Sequence, residues 1–488
     1  MAENDTNERA KFIVSKLDSI PKWALSYIFI GILGVGFFFT FFDIFNINVS
    51  IIQTGVEIIH GGVLPSGIPN FPLIETYLGY ATVIQLIGYA IGTLILSPLS
   101  DRYGRRNLLL VTMLVAALGS LITVFVTNFF EFALGRFITG LGIGADIAIV
   151  NTYISETAPK SKRVGYGSFV FFFSAVGTIV AIWLGLYLTT AAAPFPNGLP
   201  FAIGGPGAFG GVIGWRLMYA VGAALGFIGV FLRLELPESP RWLISKGRLD
   251  EAEKIVDGML ARVKKKTGKD VTIIPEVDVT VIPKASPYHE IFSNAKYRNR
   301  AIQFMVLWFI GYMAVYILAA GFTGLLGSIG YTASRAGVVV AIGSVGFIPA
   351  TMIPTFYGNI FKRKTWLPIG AIITLVGGLV ITFSGTDTYL SAFGAILAFM
   401  GFNIWVPVTY IWSTEIFPAR ARSTGFALVD GIGHIGGGVG VLFVAFLLSK
   451  DVAALYIFIL IAVFLFIPSG IARFGAKTED VRLDEVSP

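Results

Sequence analysis

Ionisable side chains inside long apolar stretches are the residues of this sequence best placed to do chemistry. Asp43, Arg136, Asp146 and Asp430 lie in such stretches, and His434 follows Asp430 by about one helical turn. A charged group in the middle of a bilayer costs about 2.5–3.5 kcal/mol on insertion scales, so such groups usually serve a function. These five residues are therefore the first candidates for proton or substrate binding.

Asp43 and Arg136 are expected at similar depth, in the outer parts of the first and fourth apolar helices. An opposite charge nearby favours the charged form of a carboxyl group, so protonation of Asp43 has to break such a pair. A carboxylate that exchanges a cation for a proton, while facing each side of a membrane in turn, can couple proton movement to solute movement. The alternative is a static pair that only supports the structure.

Asp146 follows Arg136 by ten residues, about 15 Å along a helix. It is expected nearer the middle of the membrane, as a second proton-binding or substrate-coupling carboxylate. Asp430 and His434 are four residues apart and share one helix face. Because histidine titrates in mild acid, His434 either meets a substrate anion or is a neutral side chain that Asp430 satisfies.

Large aromatic side chains fall in two other apolar stretches. Trp308, Tyr312 and Tyr316 recur every four residues, which places them on one face of a helix. Trp405 and Tyr410 lie in a later stretch. Together with Asp430 and His434, these aromatic residues are candidates for the wall of a substrate cavity. The alternative is that the aromatic side chains only pack against their neighbours.

The composition shows what kind of element carries these residues. Of 488 residues, 55% are hydrophobic and 13% are charged, with a mean hydropathy of +0.77, whereas soluble proteins are about a quarter charged. Lipid must therefore be the solvent for most of the chain. The formal charge of +7 is expected to reflect basic loops that set orientation rather than nucleic-acid binding.

Other classes of chemistry find no support in the sequence. The chain has no cysteine, which excludes disulfides and thiolate metal sites. Its three histidines lack zinc-binding spacing, and no nucleophile–base constellation or cofactor-binding loop occurs. We therefore expect neither an enzyme nor a bound metal or cofactor.

Twelve stretches are long and apolar enough to cross a bilayer, which takes about 20 residues, and they predict an all-α membrane protein. The predicted spans are 23–46, 77–98, 107–127, 131–154, 165–190, 212–234, 301–324, 332–357, 365–384, 388–413, 423–448 and 452–473. The predicted spans divide the chain into five segments. These are an N-terminal tail (1–22), a six-helix bundle (23–236), a linker with short amphipathic helices (237–300), a second six-helix bundle (301–474) and a C-terminal tail (475–488).

Basic residues cluster in alternate loops, at 102–106, 160–163, 362–364 and 420–422. Loops on the cytoplasmic side of a membrane carry an excess of lysine and arginine. Both termini are therefore expected in the cytoplasm.

The two halves of the sequence share an internal repeat. A Glu-x-x-Pro-x-x-x-Arg pattern begins at Glu156 and recurs 259 residues later at Glu415. The turn at 101–106 recurs in degenerate form at 359–364, with asparagine in place of the first aspartate. Such duplication is typical of two similar bundles that rock around a shared site near the midplane.

Acids and bases recur together at the predicted cytoplasmic ends of both halves. They can form ion pairs when the cytoplasmic end of the protein is closed and separate when it opens, so that the pairs favour one of two arrangements of the bundles. The alternative is surface charge that only sets the topology. We call them the latch residues: Asp101, Arg105, Glu156, Arg163, Glu238, Arg241, Arg363, Glu415 and Arg422. The C-terminal part is expected to be weaker, with Glu415 paired to Arg363 or Arg422.

Motifs along nearly the whole chain resemble the major facilitator superfamily. Ser100 to Arg106 matches that superfamily's signature between helices 2 and 3, and Pro237 to Leu243 is similar to the sugar-porter signature. The resemblance implies the major facilitator fold and transport by alternating access. In proton-coupled sugar porters a helix 1 aspartate and a helix 4 arginine carry the coupling, and the resemblance extends this role to Asp43 and Arg136.

Two other branches of the superfamily are similar in part. The segment from Arg136 to Asp146 resembles phosphate:proton symporters, but Tyr312 and Val406 replace an aspartate and an asparagine of that branch. Organic-ion transporters of this group have a helix 11 cation, a role the resemblance extends to His434. The glutamines and asparagines with which sugar porters line helices 5 and 7 are mostly missing.

These observations predict proton-coupled symport of a small polar metabolite, with organic anions ahead of sugars and phosphate. The expected partners are the substrate, protons and the lipid bilayer, and the expected form is a monomer in the plasma membrane. A uniporter with purely structural charges and a nutrient sensor built on a transporter frame are the alternatives.

Overall fold

Among the residues that the structure describes, twelve long apolar helices form the membrane domain, which confirms the all-α fold class and the number of predicted spans. The computed structural model describes residues 2–21, 24–66, 70–159, 162–205, 208–273, 286–418, 421–479 and 486–487. In chain order, spans 1 to 12 are Tyr27–Ile47, Thr76–Tyr103, Arg105–Val124, Phe129–Thr157, Arg163–Thr189, Ile213–Arg233, Ala295–Ser328, Ser334–Tyr357, Arg363–Phe383, Thr388–Glu415, Arg422–Ser449 and Ala454–Ala472.

Local signals explain where several spans begin. Spans 1 and 7 begin at one face of the membrane domain, which we call the termini side, and the other face is the opposite side. At the opposite side, Asn128 accepts a hydrogen bond from the Glu131 backbone N–H at 3.0 Å, and Asp387 caps span 10 similarly. At the termini side, Gly104 links spans 2 and 3 with φ of 103°, where a Cβ would collide with Glu238.

Two spans are interrupted near their middle. Span 8 is divided by a 3-10 turn at Ser344–Gly346. In span 10 the helix Thr388–Ile404 ends before Trp405 and the helix Val406–Glu415 follows. Irregular backbone at membrane depth is tolerated where protein covers it. The interruption at Trp405 is buried, and in the turn of span 8 Ser344 is buried while the apolar Val345 faces outward.

Spans 1–6 and spans 7–12 form two bundles that pack on each other through span 2 against span 11 and span 5 against span 8. Glycines let helix backbones touch within each bundle. Gly140 of span 4 lies against the Gln85 carbonyl of span 2, and Gly436 of span 11 lies against the Phe309 carbonyl of span 7. This close packing sets the depth and rotation of the charged residues on these spans.

Short helices cover the termini side: Ala2–Asp18, Pro240–Ser245, Leu249–Thr267 and Pro287–Ser293. The first of them lies where the sequence predicted a tail. Its Arg9 contacts Asp250 at 2.7 Å, and its Asp18 pairs with the latch residue Arg241. Parts of the predicted linker and C-terminal tail, 274–285 and 480–485, lie outside the described residues.

Candidate functional site

A cavity lies between the two bundles, closer to the opposite side. The space between its atoms is about 410 Å³ when open solvent at the mouth is included, and about 20 Å³ of this can hold the centre of a water molecule. Spans 1, 2 and 4 and span 7 form its wall, so both bundles contribute. Its polar groups come from Thr82, Gln85, Tyr89 and Tyr316, and isoleucine and alanine side chains form much of the remainder. It is the candidate space for a solute between the halves.

The cavity adjoins the ion pair of Asp43 and Arg136, which are both fully buried. Arg136 contacts the carboxylate through both Nη atoms, with Nη1 3.2 Å from Oδ1. Ser120 donates to Oδ1 at 2.5 Å, and Gln85 donates to Oδ2 at 3.4 Å. Because Gln85 also lines the cavity, its amide connects the cavity with the charged pair.

Arg136 has a second set of contacts besides the carboxylate. Its Nη2 donates to the backbone oxygen of Asp43 at 3.3 Å, and its guanidinium lies 5.1 Å from the ring centre of Tyr219 in span 6. A cation over an aromatic face is stabilised by the ring quadrupole. Protonation of Asp43 would therefore leave the guanidinium with remaining partners, which makes a reversible opening of the pair less costly.

Asp146 pairs with Arg233, at the end of span 6, inside the N-terminal bundle. Arg233 contacts the carboxylate through both Nη atoms, with Nη2 2.8 Å from Oδ2, and Nη1 donates to the Leu109 carbonyl at 2.8 Å. Thr112 donates to Asp146 at 2.9 Å, and Gly36 leaves room where a Cβ would collide with the guanidinium. The group joins spans 1, 3, 4 and 6, away from the residues that line the cavity.

Asp430 and His434 lie together at the interface between the bundles. Buried Asp430 accepts hydrogen bonds from the phenols of Tyr89 at 2.6 Å, Tyr410 at 2.8 Å and Tyr312 at 3.5 Å. His434 Nδ1 lies 2.9 Å from the Asp430 backbone oxygen, and its ring stacks on Tyr89 with centroids 3.5 Å apart. Since Tyr89 belongs to span 2, its bond to Asp430 crosses the interface.

The aromatic candidates take different places in this arrangement. Tyr316 lines the cavity, while Tyr312 and Tyr410 lie behind it around the buried carboxylate. Trp308 and Trp405 pack on each other with centroids 5.0 Å apart, and Trp405 lies against glycines of spans 7 and 9. The two tryptophans therefore lie inside the C-terminal bundle rather than on the wall of this cavity.

The latch residues of the N-terminal bundle form a network at the termini side. Arg105 donates to both oxygens of Glu156, at 3.2 and 2.9 Å, and contacts Asp101 at 2.8 Å. Glu238 instead accepts the backbone N–H groups of Arg105 at 2.9 Å and Ser239 at 2.8 Å. It thus caps span 3, where the helix dipole favours an anion. Burial raises the pKa of Glu238, and these backbone donors oppose that shift.

The C-terminal bundle repeats the network with longer ionic contacts. Arg363 lies 3.4 Å from each carboxylate oxygen of Glu415, and its backbone N–H donates to Glu479 at 2.7 Å. Thr478 also donates to Glu415, at 2.6 Å. Glu479 therefore caps span 9 as Glu238 caps span 3, and it follows span 12 as Glu238 follows span 6.

Contacts between the bundles close the termini side. The hydroxyls of Ser100 and Ser423 lie 3.1 Å apart, and Thr424 donates to Asp101 at 2.9 Å. These residues belong to the end of span 2 and the start of span 11, where the two bundles meet.

Two latch arginines also act across the interface. Arg422 of span 11 interacts electrostatically with Glu156 of span 4, and Arg163 of span 5 interacts with Glu415 of span 10. Each bundle thus offers an arginine to the glutamate of the other, and rocking the bundles apart separates both pairs of charges.

Weakening the latch should expose the interface at the termini side. Replacing Glu156 by glutamine removes the charge that attracts Arg422 across the interface and that Arg105 binds within the bundle. Hydrogen bonds to charged groups contribute about 1.5–3 kcal/mol. A free-energy change of 1.4 kcal/mol alters an equilibrium constant tenfold. With Ser423→Cys present as the labelling site in every protein compared, we expect the thiol to be labelled about tenfold faster when Glu156→Gln is added. The chain has no other cysteine to react. Asp387→Asn, at the opposite side, is the matched control, and equal labelling in all three proteins would contradict the role.

Several residues of the site were missed by reasoning from the sequence. Gln85 and Tyr89 are polar, four residues apart in an otherwise apolar span, a spacing that could have indicated one shared face. Arg233 and Glu479 gave no such signal, because a basic or acidic residue beside a span end is ordinary. Their partners are visible only in the packed structure.

Known proteins resemble this chain along most of its length. The family model described as "Sugar (and other) transporter" matches residues 35–486. The niacin transporter NiaP of Acinetobacter baylyi is 21% identical over 484 residues, covering 97% of this chain and 99% of that protein. The D-xylose transporter of Levilactobacillus brevis is 28% identical over 359 residues, covering 71% of this chain and 73% of that protein.

A solved structure shares the fold. The proton:xylose symporter XylE of E. coli, bound to 6-bromo-6-deoxy-D-glucose, superposes with a TM-score of 0.73 at 19% identity. The match covers 94% of this chain and 98% of that protein. It therefore extends over both bundles.

Proposed function

The chain belongs to the sugar (and other) transporter family of the major facilitator superfamily, and we propose that it imports a small polar metabolite together with protons. It is a secondary transporter and multi-pass membrane protein, not an enzyme. The observation that carries proton coupling is the buried Asp43–Arg136 pair beside the cavity. We further propose that the protein acts as a monomer in the plasma membrane.

Proton coupling follows from the chemistry of that pair. Asp43 can exchange its bond to Arg136 for a proton, and Gln85 brings the carboxylate within one side chain of the cavity. When a proton neutralises Asp43, Arg136 loses its ionic partner and keeps its cation–π contact with Tyr219, which changes the contacts among spans 1, 4 and 6. Proton binding then biases the packing of the N-terminal bundle beside the solute.

Alternating access follows from the two ends of the interface. The latch network and the contact between Ser100 and Ser423 close the termini side, whereas the cavity lies closer to the opposite side. We propose that the termini side faces the cytoplasm, as the basic loops indicate. Opening toward the cytoplasm then requires the latch pairs to separate.

An organic anion is the proposed substrate class. His434 is the candidate cation nearest the cavity, because it stacks on Tyr89 of the cavity wall. The His434 ring, neutral in the absence of solute, can take up a proton when a carboxylate binds beside it, because an opposite charge nearby favours the charged form. The tyrosines offer aromatic faces and hydroxyl donors to the rest of such a solute. NiaP, the niacin transporter, is similar to this chain over nearly its full length.

A sugar is the second candidate, and the cavity wall supports it. The amide of Gln85 and the hydroxyls of Thr82, Tyr89 and Tyr316 can hydrogen-bond sugar hydroxyls. No lysine or arginine is among the described residues that line the cavity. The D-xylose transporter and XylE are likewise similar to this chain.

Uptake into proteoliposomes with an alkaline interior tests both parts of the proposal. We expect labelled niacin, as a probe of the organic-anion class, to accumulate above equilibrium and to stop doing so when a protonophore collapses the gradient. Accumulation of D-xylose alone would support the sugar candidate. Gradient-independent equilibration of every probe, with inorganic phosphate included, would contradict proton coupling.

A further inference from the structure

Among the described residues, Asp430 differs from the buried Asp43 and Asp146 because no arginine side chain contacts its carboxylate. Asp43 and Asp146 each contact an arginine through two nitrogen atoms. Among the described residues, neither lysine nor arginine contacts Asp430. The titratable groups that face it, from spans 2, 7 and 10 and from its own helix, are Tyr89, Tyr312, Tyr316, Tyr410 and His434.

His434 does not have to be charged to make its contacts. Its Nδ1 lies 2.9 Å from the Asp430 backbone oxygen, which can only accept, so Nδ1 must carry a hydrogen. The neutral Nδ1–H tautomer satisfies this contact, and Nδ1 lies farther from the carboxylate, 3.4 Å from Oδ1. The geometry therefore leaves the charge of Asp430 balanced only by phenol dipoles.

A carboxylate in this setting has a simple way to become neutral. Charged groups within the membrane usually pair with each other or mark proton and substrate paths. Protonating Asp43 or Asp146 means breaking a bidentate pair with a buried arginine. Protonating Asp430 requires only that hydrogen-bond donors reorient, because a phenol can accept from a carboxylic acid as well as donate to a carboxylate.

We propose that Asp430 is a second proton-binding site, in the C-terminal bundle, and that Tyr89 links its protonation state to the N-terminal bundle. The assignment deepens the proton coupling proposed above and rests on it for its role in transport. The structural basis is a buried carboxylate without a basic partner, a phenol that reaches it across the interface, and a cavity that the same phenol lines.

The cavity offers the proton a route. A proton from water in the cavity passes to the Tyr89 hydroxyl, whose own hydrogen moves to Asp430 Oδ2, 2.6 Å away. After the bundles rock, the carboxylic acid returns the proton to water that enters from the other side. Charge-assisted hydrogen bonds are roughly twice as strong as neutral ones, so protonation weakens the Tyr89–Asp430 bond between the bundles.

Infrared difference spectroscopy of the purified full chain, between alkaline and acidic pH, tests the site without any substrate. A protonated carboxyl group has a carbonyl band that a carboxylate lacks. Asp43 and other carboxyl groups contribute bands of their own, so the comparison is between variants. We expect one band of the unmodified protein to be lost in Asp430→Asn and to persist in Asp43→Asn. In Tyr89→Phe the band should persist at a higher frequency, because the acid has lost a hydrogen-bond partner.

Two controls keep the outcome clear. Asparagine is nearly isosteric with aspartate, and its oxygen can accept from a phenol while its NH2 group donates to the oxygen of another. An unchanged thermal unfolding midpoint verifies that Asp430→Asn is folded. Asp430→Glu keeps a carboxyl group and should retain a band. A folded Asp430→Asn whose spectrum has every carbonyl band of the unmodified protein would overturn the assignment. Failed proton-driven uptake in liposomes would instead contradict the proposed function, since the spectra require no transport.

Discussion

Asp43→Asn should abolish accumulation driven by a pH gradient while solute exchange across the membrane continues. Asparagine cannot take up a proton, so the bond to Arg136 can no longer be traded for one. The amide oxygen can still accept from Ser120, the Gln85 amide can turn so that its oxygen accepts from the new NH2 group, and Arg136 keeps its contact with Tyr219. The bundles should therefore still rock with bound solute. The measurement is uptake into proteoliposomes with an alkaline interior, beside counterflow without a gradient.

The matched control is Asp451→Asn, an exposed aspartate between spans 11 and 12 at the opposite side. It makes the same chemical change away from the cavity and should accumulate solute like the unmodified protein. Full accumulation by Asp43→Asn would assign the pair a purely structural role and would mean that another carboxyl group carries the coupling. Loss of counterflow together with accumulation would show that the pair is needed for rocking itself.

Arg233→Met should destabilise the N-terminal bundle strongly. Removing one partner of a buried ion pair typically costs about 3–5 kcal/mol, because the other charge stays buried and uncompensated. Here Asp146 would keep only Thr112 as a hydroxyl donor. We expect a large drop in the thermal unfolding midpoint in detergent. Arg233→Lys keeps the charge but not the bidentate geometry, so its midpoint should lie between those of the unmodified protein and Arg233→Met.

The double variant with Asp146→Asn separates structural support from proton coupling. If the pair only joins spans 3, 4 and 6, removing both charges should restore most of the lost stability and leave proton-driven accumulation intact. That is the expected result, since Asp146 lies away from the residues that line the cavity. A stable double variant that no longer accumulates solute would instead support the coupling role predicted for Asp146 from its resemblance.

The long-range order of the fold could be predicted because it depends on local properties. Each span needs enough apolar residues to cross lipid, and each basic loop acts on the nearest spans, so both signals are readable within short windows. The depth of a residue follows from its distance to a span end. This is why Asp43 and Arg136 could be expected at one level, where the structure indeed brings them into contact.

Partners from distant spans could not be predicted in the same way. Arg233 and Asp146 are 87 residues apart, and no spacing rule relates the end of span 6 to the middle of span 4. Glu479 follows span 12 as Glu238 follows span 6, but no sequence motif marks Glu479 as the cap of span 9. In both cases the contact depends on how helices rotate about their axes, which hydropathy does not determine.

The sequence by itself determined that this protein lies in lipid, that it consists of two similar six-helix halves, and that a few charges are buried among them, because solvent and helix length act on each segment separately. Only the tertiary structure decided which of those charges meet. The bond from Tyr89 to Asp430 joins residues 341 positions apart across the bundle interface. Such a contact exists only after glycines and small side chains have set how closely the helices, and then the bundles, can approach.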